Sequence, residues 1–553
     1  MRSFLLRLVA AFLLFALSAA AAERPRLVVV LVVDQLRSDA LRPVFDRLLP
    51  PGTAKRPGGF RYLVERGAYW PLAEYRMSHC MTGPGHATIA TGAYPSRHGI
   101  SSNAWWATDC VLGCVAPRET DAALGDSPRW LRAPTLSDAL DEAQPASRTV
   151  TLSFKPRAAV LLGGHTADLA VWLDEEALLW TTSAYYTRRG SAPALDVLNA
   201  GLARRRGPVT VDCAPEEGRS RPLPSPLPAR AAPNDVARCG TQPTLGPAGY
   251  PAIYSPVAAD LMVDAAIGLL DDPALALGRD EVPDVLALSF SAHDVVAHVL
   301  GPRSPEVLAM TVAEDRALSR LLAALAARVG LQRTVVALTG DHGGPAVPED
   351  LATAGQPAGV LPLDDVQAEL ARFLDAELPG VRGEQPYFVA KRDLSLWFQP
   401  ALLSGPHGRD LLARSKRFAL ERWRESLTAA LTVHEVADGR WPEGRLGEQA
   451  RNSYVPGRSG DLVLYPRPGV FEGKPGDLVS HMTGYAYDCR VPLALVGPGV
   501  TPGVRASPAE LVDLAPTLAY LLGVVPPASA TGRVLHEALD PNTPAWLTPF
   551  PLR

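Results

Sequence analysis

The chain has 553 residues, with 47% hydrophobic and 20% charged residues, proportions ordinary for a globular protein with a large core. A formal net charge of -4 points away from a nucleic-acid-polymer binder and from a polybasic membrane surface. Proline is abundant, at 53, but apolar runs continue along the whole length, which argues for many turns rather than disorder.

Residues 1–22, MRSFLLRLVAAFLLFALSAAAA, carry Arg2 and Arg7, then an apolar stretch, then small residues. That is the pattern of a secretory signal cut near Ala22. The apolar stretch is shorter than the ~20 residues a membrane span requires. No cysteine lies near the cut to mark a lipoprotein. The expectation is a periplasmic or secreted protein, with no membrane attachment after cleavage and one domain over residues 23–553.

Four short apolar runs, RLVVVLVVD, RTVTLSF, PDVLALSF and RTVVALTGD, read as buried strands of a parallel sheet. Helical patterns alternate with them, which predicts an α/β domain. The clearest is SPEVLAMTVAEDRALSRLLAALAARVG, with a Ser-Pro start and a Gly stop. VPLALVGPGV and ELVDLAPTLAYLLGV add a strand and a helix toward the C-terminus. Residues near 103–190 and the proline-rich 213–255 break the rhythm and read as insertions. In an exported chain the six cysteines are disulfide candidates. Cys110 and Cys114 flank a short loop, Cys213 and Cys239 bracket the proline-rich stretch, and Cys80 and Cys489 remain; fifteen pairings are open.

Polar residues follow each apolar run. Asp34 follows the first, Lys155 and Arg157 the second, Asp294 the third, and Asp341-His342 the fourth. Ligands of open α/β sheets bind beyond the carboxyl ends of strands, so these residues converge on one edge. Asp294 and His298, at i and i+4 in HDVVAH, share one helix face. Taken singly, such a pair is equally a capping aspartate and an ordinary histidine, and His481 in SHMTGYAYD is an ordinary loop histidine. Together, carboxylate and imidazole suit zinc, and a metal pair about 4 Å apart can clamp an in-line phosphoryl displacement. In HCMTGPGHATIATG, Thr82 stands at a predicted helix start, where a hydroxyl is either a cap or faces an anion. Metal coordination can activate a threonine hydroxyl, and the Gly-Pro-Gly after it allows close backbone approach.

VVVLVVDQLRSD, TGPGHATIATGAYPSRHGI, SFSAHDVVAH, LTGDHGG and HMTGYAYD resemble, in order, the blocks of the alkaline phosphatase superfamily, in the branch shared with nucleotide pyrophosphatase/phosphodiesterases. The resemblance implies a three-layer α/β sandwich with a mostly parallel central sheet and inserted cap loops. It implies Thr82 as a transiently phosphorylated nucleophile above two zinc ions. It places Asp34, Thr82, Asp341 and His342 around one ion and Asp294, His298 and His481 around the other. The Cys/Ser-x-Pro-Ser-Arg pattern of the sulfatase branch is absent. The many acidic loops leave room for extra calcium, but no EF-hand spacing occurs.

A monoester phosphoryl group carries two charges and needs more donors than a diester. Lys155 and Arg157, at i and i+2 in an extended segment, would point the same way, and Asn103 follows the nucleophile helix. These positions resemble the Lys-x-Arg and Asn of the threonine-type, phosphate-irrepressible alkaline phosphatases. The expectation is an alkaline phosphatase (EC 3.1.3.1), a monomer acting on small phosphorylated metabolites. The alternatives are a phosphodiesterase or nucleotide pyrophosphatase on the same fold and, more remotely, an exported phosphate- or metal-binding protein without turnover. His86, His98 and His165 read as supporting residues, and Trp105, Trp106 and Trp172 as core.

Overall fold

Runs of β-branched residues and leucine form strands most readily when both faces are covered. In the computed structural model, which describes residues 24–107, 110–117, 124–187, 192–213, 236–247, 249–473 and 478–541, this is how the apolar runs are used. The leader expected over 1–22 lies outside the described residues.

The central sheet has nine strands: β1 (Leu27–Val33), β2 (Ala68–Glu74), β3 (Thr149–Ser153), β4 (Leu169–Asp174), β5 (Leu179–Thr181), β6 (Asp284–Phe290), β7 (Thr334–Thr339), β8 (Arg490–Val496) and β9 (Gly503–Val504). Their order across the sheet is β9-β2-β8-β7-β1-β6-β3-β4-β5. β1 pairs in parallel with β6 and with β7, so that Leu31 lies between Leu288 and Leu338. β3 continues the parallel block beside β6, and β4 beside β3.

Alternate residues of β1 enter different cores. Leu27, Val29, Leu31 and Val33 pack under the helices Val257–Asp271 and Pro305–Arg328. Val28, Val30 and Val32 pack with the Leu514–Leu522 helix. A sheet with an apolar core on each face is the middle of three layers. The long helix opens as its sequence indicates: Ser304 caps it by accepting from the Val307 N–H at 3.3 Å, and Pro305 takes the first position.

The structure bears on two of the stretches read as insertions. The excursion expected over 103–190 is shorter, because β3, β4, β5 and the Pro156–Gly163 helix belong to the sheet and its cover. What departs from the sheet is the hairpin Ala104–Ala107/Cys110–Gly113 and the loops after it. Of the 213–255 stretch, residues 214–235 lie outside the described residues, while Val236, Leu245 and Ile253 are buried in the main core. A larger excursion was not anticipated. Between β7 and β8 the chain builds a second, four-stranded antiparallel sheet of Phe388–Arg392, Ser395–Phe398, Leu462–Pro466 and Leu427–Thr432, with its own core.

Topology sets where the polar residues emerge. The parallel strands β3, β6, β1 and β7 end on one edge. β2 is antiparallel to β8, and β8 to β7, so β2 also ends there and β8 begins there. The Cys80–Cys489 disulfide joins the segment after β2 to the residue directly before β8. A second disulfide joins Cys213 and Cys239. Cys114 is a buried free thiol. Among the described residues, no helix is long and apolar enough to cross a membrane.

Candidate active site

Helix α1 (Thr82–Thr91) follows β2 and starts in the strand-edge cleft. Its N-cap is Met81, and no side chain caps it, so the Thr82 hydroxyl is not used as a cap. Thr82 is buried, yet it lines a cavity of about 490 Å³. The helix lies close to the sheet: a Cβ on Gly85 would come 2.3 Å from the Asp341 carbonyl oxygen, and only glycine allows that approach. The Gly83 N–H donates to Asn103 Oδ1 at 2.7 Å, which leaves the Asn103 NH₂ as the group that can face the cavity.

The strand ends supply the rest. Asp34 follows β1, Asp341-His342 follows β7, and Asp294 and His298 lie on helix Ala292–Leu300 after β6. His298 Nε2 is 3.2 Å and His481 Nε2 3.7 Å from Asp294 Oδ1. Donor atoms of Asp294, His298 and His481 lie within 4.8 Å of one another, and so do those of Asp34, Asp294 and His342. His342 Nε2 is 3.2 Å from Asp34 Oδ1 and 3.5 Å from Asp341 Oδ2. The sequence-level partition thus meets a shared member, since Asp294 belongs to both groups and Asp341 borders the second.

The three imidazoles are oriented alike. His298, His481 and His342 each place Nδ1 2.8–2.9 Å from a backbone carbonyl, those of Val479, Cys80 and Gly343. A carbonyl only accepts, so each Nδ1 carries the proton and each Nε2 turns its lone pair, or a second proton, inward. Metal-binding histidines are held in this way. Asp34 Oδ1, Asp341 Oδ2 and His342 Nε2 are buried with no hydrogen-bond partner. Buried polar atoms without a well-formed hydrogen bond are costly, and a cation among them removes that cost. The donor set therefore fits a metal.

Electrostatics point the same way. Burial, with Asp294 and Asp341 nearby, pushes the Asp34 carboxyl up. Burial opposes the charge of His342, but Asp341, Asp34 and Asp294 carry it up to about 10. Burial, with His342 and His298, drives His481 well below the usual imidazole range. Lys155 answers part of the negative charge, with Nζ 2.5 Å from Asp34 Oδ2 and 2.6 Å from Asp294 Oδ2.

The segment holding Lys155 and Arg157, expected to be extended, is so only at Lys155. Lys155 is the N-cap of helix Pro156–Gly163, and Arg157 sits in its first turn, because Pro156 favours the first helical position. Both side chains still line the cavity with Thr82 and Asn103, and Arg157 Nε is buried without a hydrogen-bond partner.

Sequence reasoning missed Gln35. Its φ is 61°, its N–H donates to Asp341 Oδ1 at 3.1 Å, and its side-chain amide donates to Asp294 Oδ1 at 3.0 Å. Its position directly after Asp34 was the available signal. Arg392, from the second sheet, also lines the cavity and was missed. His86 supports the site by bonding the Thr82 carbonyl and the Ser289 hydroxyl, both at 2.8 Å. His98 bonds Thr88, and His165 bonds Asp138. Trp105 is buried edge-on against Trp130, while Trp106 is partly buried.

This fold and this edge-mounted site are those of the alkaline phosphatase superfamily. Within it, the chain belongs to the type I phosphodiesterase / nucleotide pyrophosphatase family, whose model matches residues 28–485. It is 30% identical to the alkaline phosphatase PhoD of Zymomonas mobilis, over 94% of this chain and 88% of that one. It is 26% identical to the alkaline phosphatase PafA of Elizabethkingia meningoseptica, over 94% and 95% of the two chains. The crystal structure of wild-type PafA matches with a TM-score of 0.77 at 25% identity, covering 94% of this chain and 100% of that one.

Proposed function

We propose that this protein is an exported alkaline phosphatase that hydrolyses phosphate monoesters through a phosphothreonine on Thr82. Phosphatase activity itself follows from relatives that are alkaline phosphatases along nearly the whole chain. The observation that carries the finer reading is the cavity wall, where Thr82, Asn103, Lys155 and Arg157 stand beside Asp294, His298 and His481.

Asp294, His298 and His481 would hold one ion, and Asp34, Asp341 and His342, with the Thr82 hydroxyl, a second. We take both as zinc, on the carboxylate and imidazole donors. When bound, the ions supply Lewis-acid charge that lowers the pKa of the hydroxyl and steadies the departing oxygen. Thr82 Oγ1 bonds to phosphorus as the bond to the alcohol oxygen breaks. Water then attacks from the opposite side, releases phosphate and restores the hydroxyl. Asn103 donates through its NH₂, Arg157 offers a fork, and Lys155 a point charge to the phosphoryl oxygens. The positive end of α1 lies behind the same group. Three such donors suit a dianionic monoester better than a diester.

The leader pattern and the two disulfides support an oxidising, extracytoplasmic location. The test is to compare initial rates on para-nitrophenyl phosphate and its bis-ester at alkaline pH, with wild type and Arg157→Ala. We expect a large monoester preference that Arg157→Ala erodes. A diester preference would leave the metal-binding groups in place and withdraw the assignment of Lys155 and Arg157.

A further inference from the structure

The part of the cavity wall not used above is built differently. Ala104, Val111, Val295 and Met482 line it, and Ser480 adds a buried hydroxyl with no hydrogen-bond partner. Among the described lining residues, the one charged side chain still without a part is Arg392.

Arg392 ends the strand Phe388–Arg392 of the second sheet, far in sequence from the other lining residues. The chain reverses into Ser395–Phe398 through Asp393 and Leu394, whose φ angles of 49° and 59° are both left-handed. Two-residue hairpin turns take left-handed φ at both positions, which suits Asp393, while Leu394 stays there only where the surroundings over-determine the backbone. Side-chain contacts from two other segments help to hold this turn. The Ser102 hydroxyl donates to the buried Asp393 carboxylate, and the Leu394 N–H donates to Glu472 Oε2 at 2.6 Å. Ser102 directly precedes Asn103, so one hydrogen bond ties the turn of Arg392 to the loop of a phosphoryl donor. Val389 and Ala390 of the same strand pack with Trp105, Trp106 and Leu112, fixing it against the hairpin. The guanidinium itself is only loosely engaged: its Nε lies 3.6 Å from Asp393 Oδ2, and the side chain is 47% exposed.

We propose that Arg392 reads the leaving group, favouring phosphate monoesters whose organic part carries its own anion, a carboxylate or a second phosphate. The apolar stem of such a substrate would lie along Val111, Val295 and Met482. A guanidinium suits either anion because its fork matches both geometries. The inference rests on the monoesterase reading above.

The experiment measures kcat/KM of the metal-loaded enzyme on 4-carboxyphenyl phosphate, 1,4-phenylene bisphosphate and the neutral 4-carbamoylphenyl phosphate. Wild type should favour at least one anionic ester over the carbamoyl ester by about tenfold, and which one identifies the anion. Arg392→Gln should bring that ratio close to one, and Arg392→Lys should keep part of it. A wild-type ratio near one overturns the proposal and leaves the phosphatase reading intact. So does an unchanged ratio in Arg392→Gln, including an equal loss on all three esters. If Arg392→Gln does not fold, the wild-type ratio and Arg392→Lys decide. Phosphate release from none of the three would overturn both readings.

Discussion

Thr82 sits one position inside its helix rather than at the cap, and that single step separates a structural hydroxyl from a reactive one. A cap residue spends its oxygen on the backbone, whereas Thr82 lines the cavity. Thr82→Ala should therefore leave the melting temperature nearly unchanged while lowering phosphate release by about 10³-fold or more. Thr82→Ser keeps a hydroxyl and should still trap a phosphorylated peptide containing residue 82 on acid quenching. Loss of stability in proportion to loss of rate would count against the nucleophile role. The neighbouring residues show what a sequence reveals at this scale. Asp34, Asp341 and His342 stand out because charged groups at the ends of apolar runs are conspicuous. Gln35 bonds Asp341 through its backbone N–H and Asp294 through a neutral amide, in a left-handed backbone, and nothing in its residue type marks that.

At the scale of elements, legibility follows burial. β1 is buried at all seven positions, so it reads as an unbroken apolar run, and the strands on either side of it read likewise. Phe388–Arg392 is buried at its first residue and exposed at its last, and it belongs to a sheet whose pairing is antiparallel. With one face partly solvated, its pattern blends into loop sequence, and the excursion that brings Arg392 to the cavity passes unnoticed. This second sheet also carries a titration of its own. Burial raises the Asp461 carboxyl to about 6, although it accepts the Phe398 N–H at 2.9 Å. A carboxyl raised above its unfolded value binds more protons when folded, so folding is favoured as pH falls from about 6 toward 4. The cost of its charge is fully present above about 6. Asp461→Asn keeps an acceptor for Phe398 and removes that charge. It should raise the melting temperature at pH 8 and do so less at pH 5. A gain that is equal at both values would rule out desolvation of Asp461 as the cause.

For the whole molecule, the site is also a set of long-range ties. Asp34, Asp294, His342 and His481 come from four segments, and the Cys80–Cys489 bridge closes a loop with a separation of 409 residues. These ties meet at one point: the Cys80 carbonyl accepts the Nδ1 proton of His481, which in turn stands over His342 with ring centroids 3.8 Å apart. Removing the disulfide as Cys80→Ser/Cys489→Ser should cost about 2–5 kcal/mol of stability. Stripping metal with a chelator should lower the melting temperature too, because it leaves three buried carboxylates answered by Lys155 and one charged imidazole. The two losses should not add. Without the bridge, the Cys80 carbonyl no longer fixes His481, metal binds more weakly, and chelation has less stability to remove. The drop on chelation should therefore be smaller in the double-serine variant than in wild type, and re-addition of zinc should restore less of it. Independent contributions would give the same drop in both proteins, and that result would separate the disulfide from the metal site and leave it as a staple of the fold alone.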